Sequence, residues 1–178
     1  ATLGINFANS TSAAPTVFID TSNPPTSAPS TTSIANEVVK VVVTNAKKAL
    51  DPKGLYLVFT SNYPSKAGYC AWHSAGSAKV GTVTTKFTFG YMPNLASALS
   101  GCGAHFLPNY APSGLGESFD SLFNVTTHEL YETMSDPMTT GYGWYDAAGY
   151  ENGDKCSWYW STPLVISGRT YYVQQEYS

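Results

Sequence analysis

Short apolar or alternating segments along the chain predict β-strands. These segments are residues 3–7, 16–19, 55–60, 86–92, 164–166 and 171–176. The last two flank the turn-like sequence Ser167-Gly168-Arg169, which predicts a hairpin. We therefore expect a sheet built from several short strands.

Two longer segments have a helical pattern. Residues 34–50 predict a first helix with Ser33 as its N-cap and Asp51-Pro52 at its end, although its many valines also suit a buried strand. Residues 119–134 predict a second helix. The side chains expected on its buried face are Leu122, Val125, Leu130 and Met134. Strands mixed with helices predict a single α+β domain with a central mixed sheet.

Residues 1–33 differ in composition from the rest of the chain. They are rich in Ser, Thr, Ala and Pro, and residues 23–32 form a tract that predicts an extended linker. We therefore assign residues 1–33 to an extended arm with strand-like segments and residues 34–178 to the α+β domain. The strands of the arm either wrap around this domain or join a neighbouring molecule, which would give self-association.

The charge pattern and the hydropathy exclude two classes of protein. The net charge is −3 and the basic residues are scattered, so there is no basic patch of the kind that binds nucleic acid. No apolar run approaches the roughly 20 residues that a membrane-spanning helix needs. A chain of 178 residues is long enough to bury a core of useful size.

Several features favour a secreted protein. Charged residues make up only 12% of the chain, about half the usual share, while 13 tyrosines help to raise the aromatic content to 14%. N-glycosylation sequons begin at Asn9 and Asn124. Three cysteines permit one disulfide, and the sequence alone leaves all three pairings open. The sequence starts at Ala1 without a signal peptide, so we expect a processed extracellular chain.

The clearest chemical signal is Thr-His-Glu-Leu-Tyr-Glu at residues 127–132, inside the second predicted helix. His128 and Glu132 are four residues apart, so a helix places both side chains on one face, within reach of one cation. Glu129 lies one position further round and could act on a water molecule beside the metal. The pattern resembles the His-Glu-x-x-His motif of zincin metalloproteases, with a carboxylate in place of the second histidine. The sequence therefore predicts a metal site with Glu129 as the candidate catalytic base.

A catalytic zinc ion usually has three protein ligands, so the motif needs one more. The candidates are the acidic residues after the helix, namely Asp136, Asp146, Glu151 and Asp154. Glu151 and Asp154 are favoured, because Asn152-Gly153 predicts a tight turn that folds both carboxylates toward the helix. Asp136 comes next, although Pro137 after it favours an end of the helix there. We expect a divalent metal, zinc first because of the histidine, with calcium as the alternative for a carboxylate-rich set.

Four segments resemble the phosphate-induced, or Exordium-like, family in their order and spacing. They are residues 55–61, 68–74, 101–103 and 107–109, within a similarity that covers roughly residues 50 to 160. That family is extracellular and best known from plant cell walls, and this chain looks like the microbial relatives with His-Glu-x-x-Glu, Asp-Pro and Glu-x-Gly-Asp-x-Cys. The resemblance implies secretion, a shared fold, a Cys70–Cys102 disulfide, and Cys156 left unpaired or in a contact between chains. The growth role of the plant members, which lack the His-Glu pair, does not transfer.

Two further histidines, His73 and His105, each follow a cysteine by three residues. The paired spacing, Cys70-x-x-His73 and Cys102-x-x-His105, could form a Cys2His2 metal site. The disulfide that the family implies is the simpler account, with the two histidines nearby. A Cys-His nucleophilic site would need a third orienting group, which the sequence does not identify.

Two functions follow from the sequence. The first is a secreted zincin-like metallohydrolase that acts on a peptide or on a cell-wall or matrix substrate, with Tyr131 or another nearby tyrosine steadying the developing oxyanion. The second is a non-catalytic extracellular or cell-surface glycoprotein, in which a structural metal holds residues 151–156 and the N-terminal arm mediates assembly. Relatives that lack the His-Glu pair motivate this second function. We expect the metallohydrolase.

Overall fold

A five-stranded mixed sheet lies at the centre of the computed structural model, which describes residues 2–7 (backbone only), 16–103, 107–137 and 143–177. The strands are β1 (Thr2–Phe7), β2 (Thr16–Asp20), β3 (Leu55–Phe59), β4 (Trp72–Val80) and β5 (Val83–Met92). Their order is β2-β1-β3-β5-β4, and only the β3–β5 pair is parallel within this described sheet. The predicted α+β class with a central mixed sheet is confirmed.

The two N-terminal strands pair within the chain's own sheet. β1 lies between β2 and β3 and is antiparallel to both. The Pro-rich segment after β2 is tied to the loop after β3, because Ser65 N donates a hydrogen bond to Thr26 O at 2.9 Å. The predicted strands at residues 3–7 and 16–19 are therefore present, and both pair in the central sheet.

The first helix, α1 (Thr31–Val39), begins earlier than predicted and changes its winding. The hydroxyl of Ser30 accepts a hydrogen bond from Ser33 N at 3.1 Å, so Ser30 rather than Ser33 is the N-cap. Lys40–Asn45 continue with π-helical winding, and the helix ends before the predicted residue 50. The valines of this stretch disfavour a regular α-helix, because β-branched side chains crowd the preceding turn.

The sheet is covered on both faces. On one face, a core under α1 contains Ile34, Val38, Val42, Leu50, Tyr56, Val58, Phe87, Phe89 and Tyr91. On the other face, a core under α3 (Glu117–Ser135) contains Leu55, Leu57, Ala71, Met92, Leu95, Cys102 and Val125. Successive strand residues point to opposite faces, which is why Tyr56 and Leu57 belong to different cores. The helix with the His-Glu motif thus lies on the face opposite α1.

The buried side of α3 is more polar than predicted. Val125 is buried, and Leu122 and Leu130 are partly buried as predicted, whereas Met134 is 72% exposed. The polar residues that α3 buries are Asp120, Ser121, Asn124, Glu129, Glu132 and Thr133. Buried carboxylates are costly without partners, so this side of the helix is a candidate functional surface.

β4 has little strand signal in the sequence, because it is rich in Ser, Ala and Gly, and it was not predicted. The predicted C-terminal hairpin is confirmed as β6 (Leu164–Ile166) and β7 (Arg169–Tyr171), although β7 ends well before residue 176.

The implied disulfide is present and joins Cys70, just before β4, to Cys102 at the end of α2 (Leu99–Cys102), with a Cα–Cα distance of 5.3 Å. No helix among the described residues is long and apolar enough to cross a membrane.

Candidate metal centre

The C-terminal half of α3 presents the three motif side chains toward the sheet. His128 and Glu132 lie one helical turn apart, and His128 Nε2 is 3.1 Å from Glu132 Oε1. Glu129 and Glu132 are only 6% and 3% exposed, so neither is a solvated surface acid. The helix therefore holds its carboxylates in a buried position where they need a positive partner.

The loop after α3 folds back onto the motif, and residues 151–155 of it are here called the return loop. Asp154 N donates a hydrogen bond to Glu132 Oε1 at 3.1 Å. Gly153 permits this close approach, because a Cβ atom at this position would lie only 2.8 Å from Glu132 Oε1. The carboxylates of Glu151 and Asp154 consequently reach the histidines of the site, at 3.7 Å and 3.9 Å respectively.

A third element, β4, supplies a histidine that sequence reasoning did not assign to this site. His73 Nδ1 lies 3.1 Å from Glu129 Oε2 and 3.8 Å from Glu132 Oε2. On the other side of the ring, His73 Nε2 lies 3.7 Å from Glu151 Oε1. The ring is 4% exposed. His73 thus connects the helix and the return loop in one buried cluster.

Two groups of side chains among the described residues could hold a metal ion. His128, Glu132 and Asp154 form one group, here called the His128 group; His73, Glu132 and Glu151 form the other, the His73 group. Within each group the ligand atoms lie within 4.8 Å of one another. Glu132 belongs to both groups. Each group combines an imidazole nitrogen with carboxylates, a donor set that suits several divalent transition metals.

Both groups face a cavity of about 360 Å³. Its walls include Val125, Tyr145 and Trp158, and no Lys or Arg among the described residues lines it. This volume lies within the range of small-molecule sites, roughly 300–1,000 Å³. The cavity therefore admits a small ligand or a side chain of a larger one. Its lining includes the carboxylates of Glu129, Glu132, Glu151 and Asp154.

Burial raises the pKa of several carboxylates in this cluster. It raises the pKa of Glu151 to about 7, with the charge of Glu132 adding to the effect and His73 opposing it. Burial likewise raises the pKa of Glu176 to about 7, again with a contribution from Glu132. The pKa of Glu129 is also raised by burial. A cation among these groups would offset both the burial and the mutual repulsion, so the donors present fit a metal ion.

The negative charges of the cluster also raise the pKa of His128. Burial alone would lower the pKa of His128, but the hydrogen bond to Glu132 and the charge of Glu129 raise it to about 9. Gln174 Nε2 lies 3.0 Å from His128 Nδ1 and donates to Gly153 O at 2.7 Å, which holds the ring and the return loop together. Because a metal competes with protons for imidazole nitrogens, binding here is expected to release protons.

Two of the acids weighed as third ligands lie outside both groups. Asp136 follows the last residue of α3, where its carboxylate accepts a hydrogen bond from Tyr145 Oη, and this bond raises the pKa of Tyr145 to about 12. Asp146 pairs with Lys155 at 2.6 Å and accepts hydrogen bonds from two amides of its own loop. Tyr131 is 40% exposed and is not among the residues that line the cavity, whereas Tyr145 lines it.

The disulfide removes the alternative Cys2His2 site, because neither Cys70 nor Cys102 can act as a thiolate ligand. It leaves Cys156 as a free cysteine within the described part of the chain, half-buried beside the return loop. His105 and the sequon at Asn9 lie outside the described residues.

The second sequon does not fit the folded structure. Asn124 lies within α3, is 2% exposed, and contributes to the wall of the cavity. A glycan on its side-chain amide would have no space, so the predicted glycosylation at Asn124 is incompatible with the fold. A tripeptide sequon carries no information on burial, which is why the sequence suggested it.

Sequence reasoning also missed two residues near the C-terminus. Gln174 is 5% exposed and bonds to the return loop. Both carboxylate oxygens of Glu176 are buried and have no hydrogen-bond partner among the described residues. The signal was the i, i+2 spacing of these two residues, which places both on one face of the extended segment predicted at residues 171–176.

Comparison of the chain with protein-family models, curated proteins and solved structures gave no match. The resemblance to the Exordium-like family therefore stays a hypothesis that depends on the motifs quoted above. The function therefore follows from the geometry of the site itself.

Proposed function

We propose that this protein is a secreted metallohydrolase whose metal is held by the His128 group. The observation that carries the proposal is the convergence of His128, Glu132 and Asp154 beside an open cavity lined by acids. A structural zinc site is normally closed by four protein ligands, whereas a catalytic one keeps three and leaves a position free. Three ligands facing a cavity fit the catalytic arrangement.

A divalent metal at this position would polarise a substrate carbonyl group and lower the pKa of a water molecule. Glu129 is the proposed general base: it lines the cavity and would accept the proton of the attacking water. Burial raises the pKa of Glu129, which makes its ionised form a stronger proton acceptor than a surface carboxylate. Tyr145 keeps its proton at neutral pH, and rotation of its hydroxyl away from Asp136 would make it the proposed donor to the developing oxyanion.

Zinc is the proposed metal, because each group of ligands contains an imidazole nitrogen. Calcium prefers a set of oxygen ligands and is the weaker fit. The proposal of secretion is supported by the disulfide, since such bonds persist mainly in oxidising compartments. The apolar wall at Val125 and Trp158 supports a peptide or matrix substrate that inserts a small apolar group.

The non-catalytic alternative requires an N-terminal strand that is free to join another molecule. β1 and β2 are instead paired with each other, and β1 is also paired with β3. β1 therefore has no free edge in the described sheet, whereas β2 is an edge strand, so an assembly role of the N-terminal segment would use β2.

The test of the proposal is the Glu129→Gln variant, assayed with zinc-loaded protein on panels of peptides and esters. We expect the wild type to cleave at least one substrate class in a chelator-sensitive way, and the variant to lose about 10²–10⁴-fold in rate with unchanged zinc content. Glu117→Gln is the matched control, because Glu117 is an exposed acid on the same helix. Zinc-loaded wild type that is inert on all panels would contradict the catalytic role.

A further inference from the structure

We propose that the His73 group holds a second divalent metal, so that Glu132 bridges a two-metal centre. The second position would use His73, Glu132 and Glu151, which come from β4, α3 and the return loop. This inference rests on the proposed function, because it shares Glu132 with the metal proposed there.

The His73 ring is oriented so that Nδ1 faces Glu129 and Nε2 faces Glu151. His73 Nδ1 lies 3.1 Å from Glu129 Oε2 in a buried hydrogen bond. An ionised carboxylate can only accept a hydrogen bond, so the proton of neutral His73 lies on Nδ1 and the lone pair lies on Nε2. Metal-binding histidines commonly donate their other ring N–H to a carboxylate in this way. Glu129 is thus a positioning residue for His73 as well as the proposed base.

Two buried atoms of the His73 group, His73 Nε2 and Glu151 Oε1, lack hydrogen-bond partners among the described residues. They face each other at 3.7 Å. A lone pair and a carboxylate oxygen repel each other at close range unless a proton or a cation lies between them. A metal ion bonded to both atoms would satisfy both at once.

The two oxygens of the Glu132 carboxylate lie near different histidines. Oε1 lies 3.1 Å from His128 Nε2, and Oε2 lies 3.8 Å from His73 Nδ1. Oε2 lies on the Nδ1 side of the His73 ring, so a bridge to a metal on Nε2 requires the Glu132 carboxylate to turn toward Glu151. In two-metal hydrolases, the ions lie about 3.5–4 Å apart.

The charge of the cluster favours two cations over one. The carboxylates in or beside the cluster are Glu129, Glu132, Glu151, Asp154 and Glu176. The cavity they surround has no Lys or Arg among its described lining residues. When all five are ionised, one divalent ion leaves most of this negative charge uncompensated, whereas two nearly balance it.

The experiment is a zinc titration of the full-length, chelator-stripped chain, followed by a count of bound zinc per chain. We expect two zinc ions for the wild type and for the Glu117→Gln control. His73→Ala and Glu151→Gln should each retain only the ion of the His128 group, whereas Asp154→Asn should retain only the ion of the His73 group. Circular dichroism checks whether the His73→Ala variant folds. Glu151→Gln keeps the size and shape of the side chain, so it tests the second metal position even if His73→Ala misfolds.

Manganese provides a readout independent of activity. Two manganese ions that share Glu132 should give an exchange-coupled paramagnetic resonance spectrum at two equivalents, and His73→Ala should give only the isolated-ion spectrum. Glu129→Gln should keep both ions, because its amide oxygen still accepts from His73 Nδ1, whereas Glu129→Ala should weaken the second by about 10–100-fold. An uncoupled spectrum at two equivalents would overturn the bridge.

The outcomes separate this inference from the proposed function. One zinc ion in the wild type that survives in His73→Ala and Glu151→Gln but is lost in Asp154→Asn overturns the second position alone. One ion that is lost in His73→Ala but kept in Asp154→Asn overturns both the two-metal centre and the proposed position of the catalytic metal. A wild type that binds no zinc overturns both proposals.

Discussion

Replacing Gly153 by alanine tests whether the return loop must lie directly against the motif helix. The backbone of Gly153, at φ −69° and ψ −41°, is one that alanine adopts freely, so the change adds no backbone strain. The new Cβ atom, however, would lie 2.8 Å from Glu132 Oε1 and 3.0 Å from His128 Nδ1. Either the loop or the Glu132 carboxylate must therefore move, and Asp154 moves with the loop.

The size of the effect on stability follows from two contributions. Overpacking typically costs about 1–3 kcal/mol, and the lower chain entropy of the unfolded alanine variant offsets about 0.4–1 kcal/mol of that loss. We expect the free energy of unfolding to fall by about 1–2 kcal/mol, which lowers the Tm by about 2–8 °C for a chain of this length. Metal affinity should fall by about 10–100-fold, because the shift also breaks the bond from Asp154 N to Glu132 Oε1.

Zinc calorimetry of metal-free protein and thermal melts in chelator measure these two effects separately. Gly68→Ala is the matched control, since a Cβ atom there would meet nothing within 4 Å. We expect that control to stay within about 0.5 kcal/mol of the wild type and to bind zinc normally. A Gly153→Ala protein with wild-type zinc affinity would refute the packing of the return loop on the motif helix.

Three further predictions concern the scaffold. Replacing both disulfide cysteines by alanine should lower the free energy of unfolding by about 3–4 kcal/mol in denaturant titrations, because the bond closes a loop with a sequence separation of 32. Contacts with Glu37, Ser22 and Lys40 hold the pKa of Asp20 below its ordinary value. The ionised Asp20 carboxylate therefore stabilises the fold above about pH 4, and this contribution is lost as the pH falls below that value. The Tm difference between wild type and Asp20→Asn should accordingly shrink on acidification. Met134→Lys should change stability by less than about 0.5 kcal/mol in thermal melts, because Met134 is 72% exposed; a large loss would contradict the helix orientation.

Local sequence patterns predicted the elements whose signal is local. Alternation and apolar runs identified β1, β2, β3 and β5, and the Asn152-Gly153 turn indicated that the loop folds back toward α3. The buried face of α3 was predicted less well, because periodicity assumes that buried positions are apolar. At the site this assumption fails: Glu129 and Glu132 are buried, while Met134 faces solvent.

The part of the site that the sequence could not show is non-local. His73 lies 56 residues before Glu129, and their contact depends on the pairing of β4 with β5 and on the packing of α3 against that face of the sheet. A single histidine in a strand of small residues gives no local signal for such a contact. Gln174 and Glu176 reach the site in the same way, through the return of the C-terminal segment to the loop.

The central claim is that Glu132 lies at the centre of a metal site, and anomalous X-ray diffraction from zinc-loaded crystals at the zinc edge tests it most directly. We predict an anomalous peak within bonding distance of Glu132 Oε1, between His128 Nε2 and Asp154, and its absence in crystals of Glu132→Gln grown in the same zinc-containing buffer. A well-ordered wild-type crystal in that buffer with no peak beside Glu132 would contradict the account.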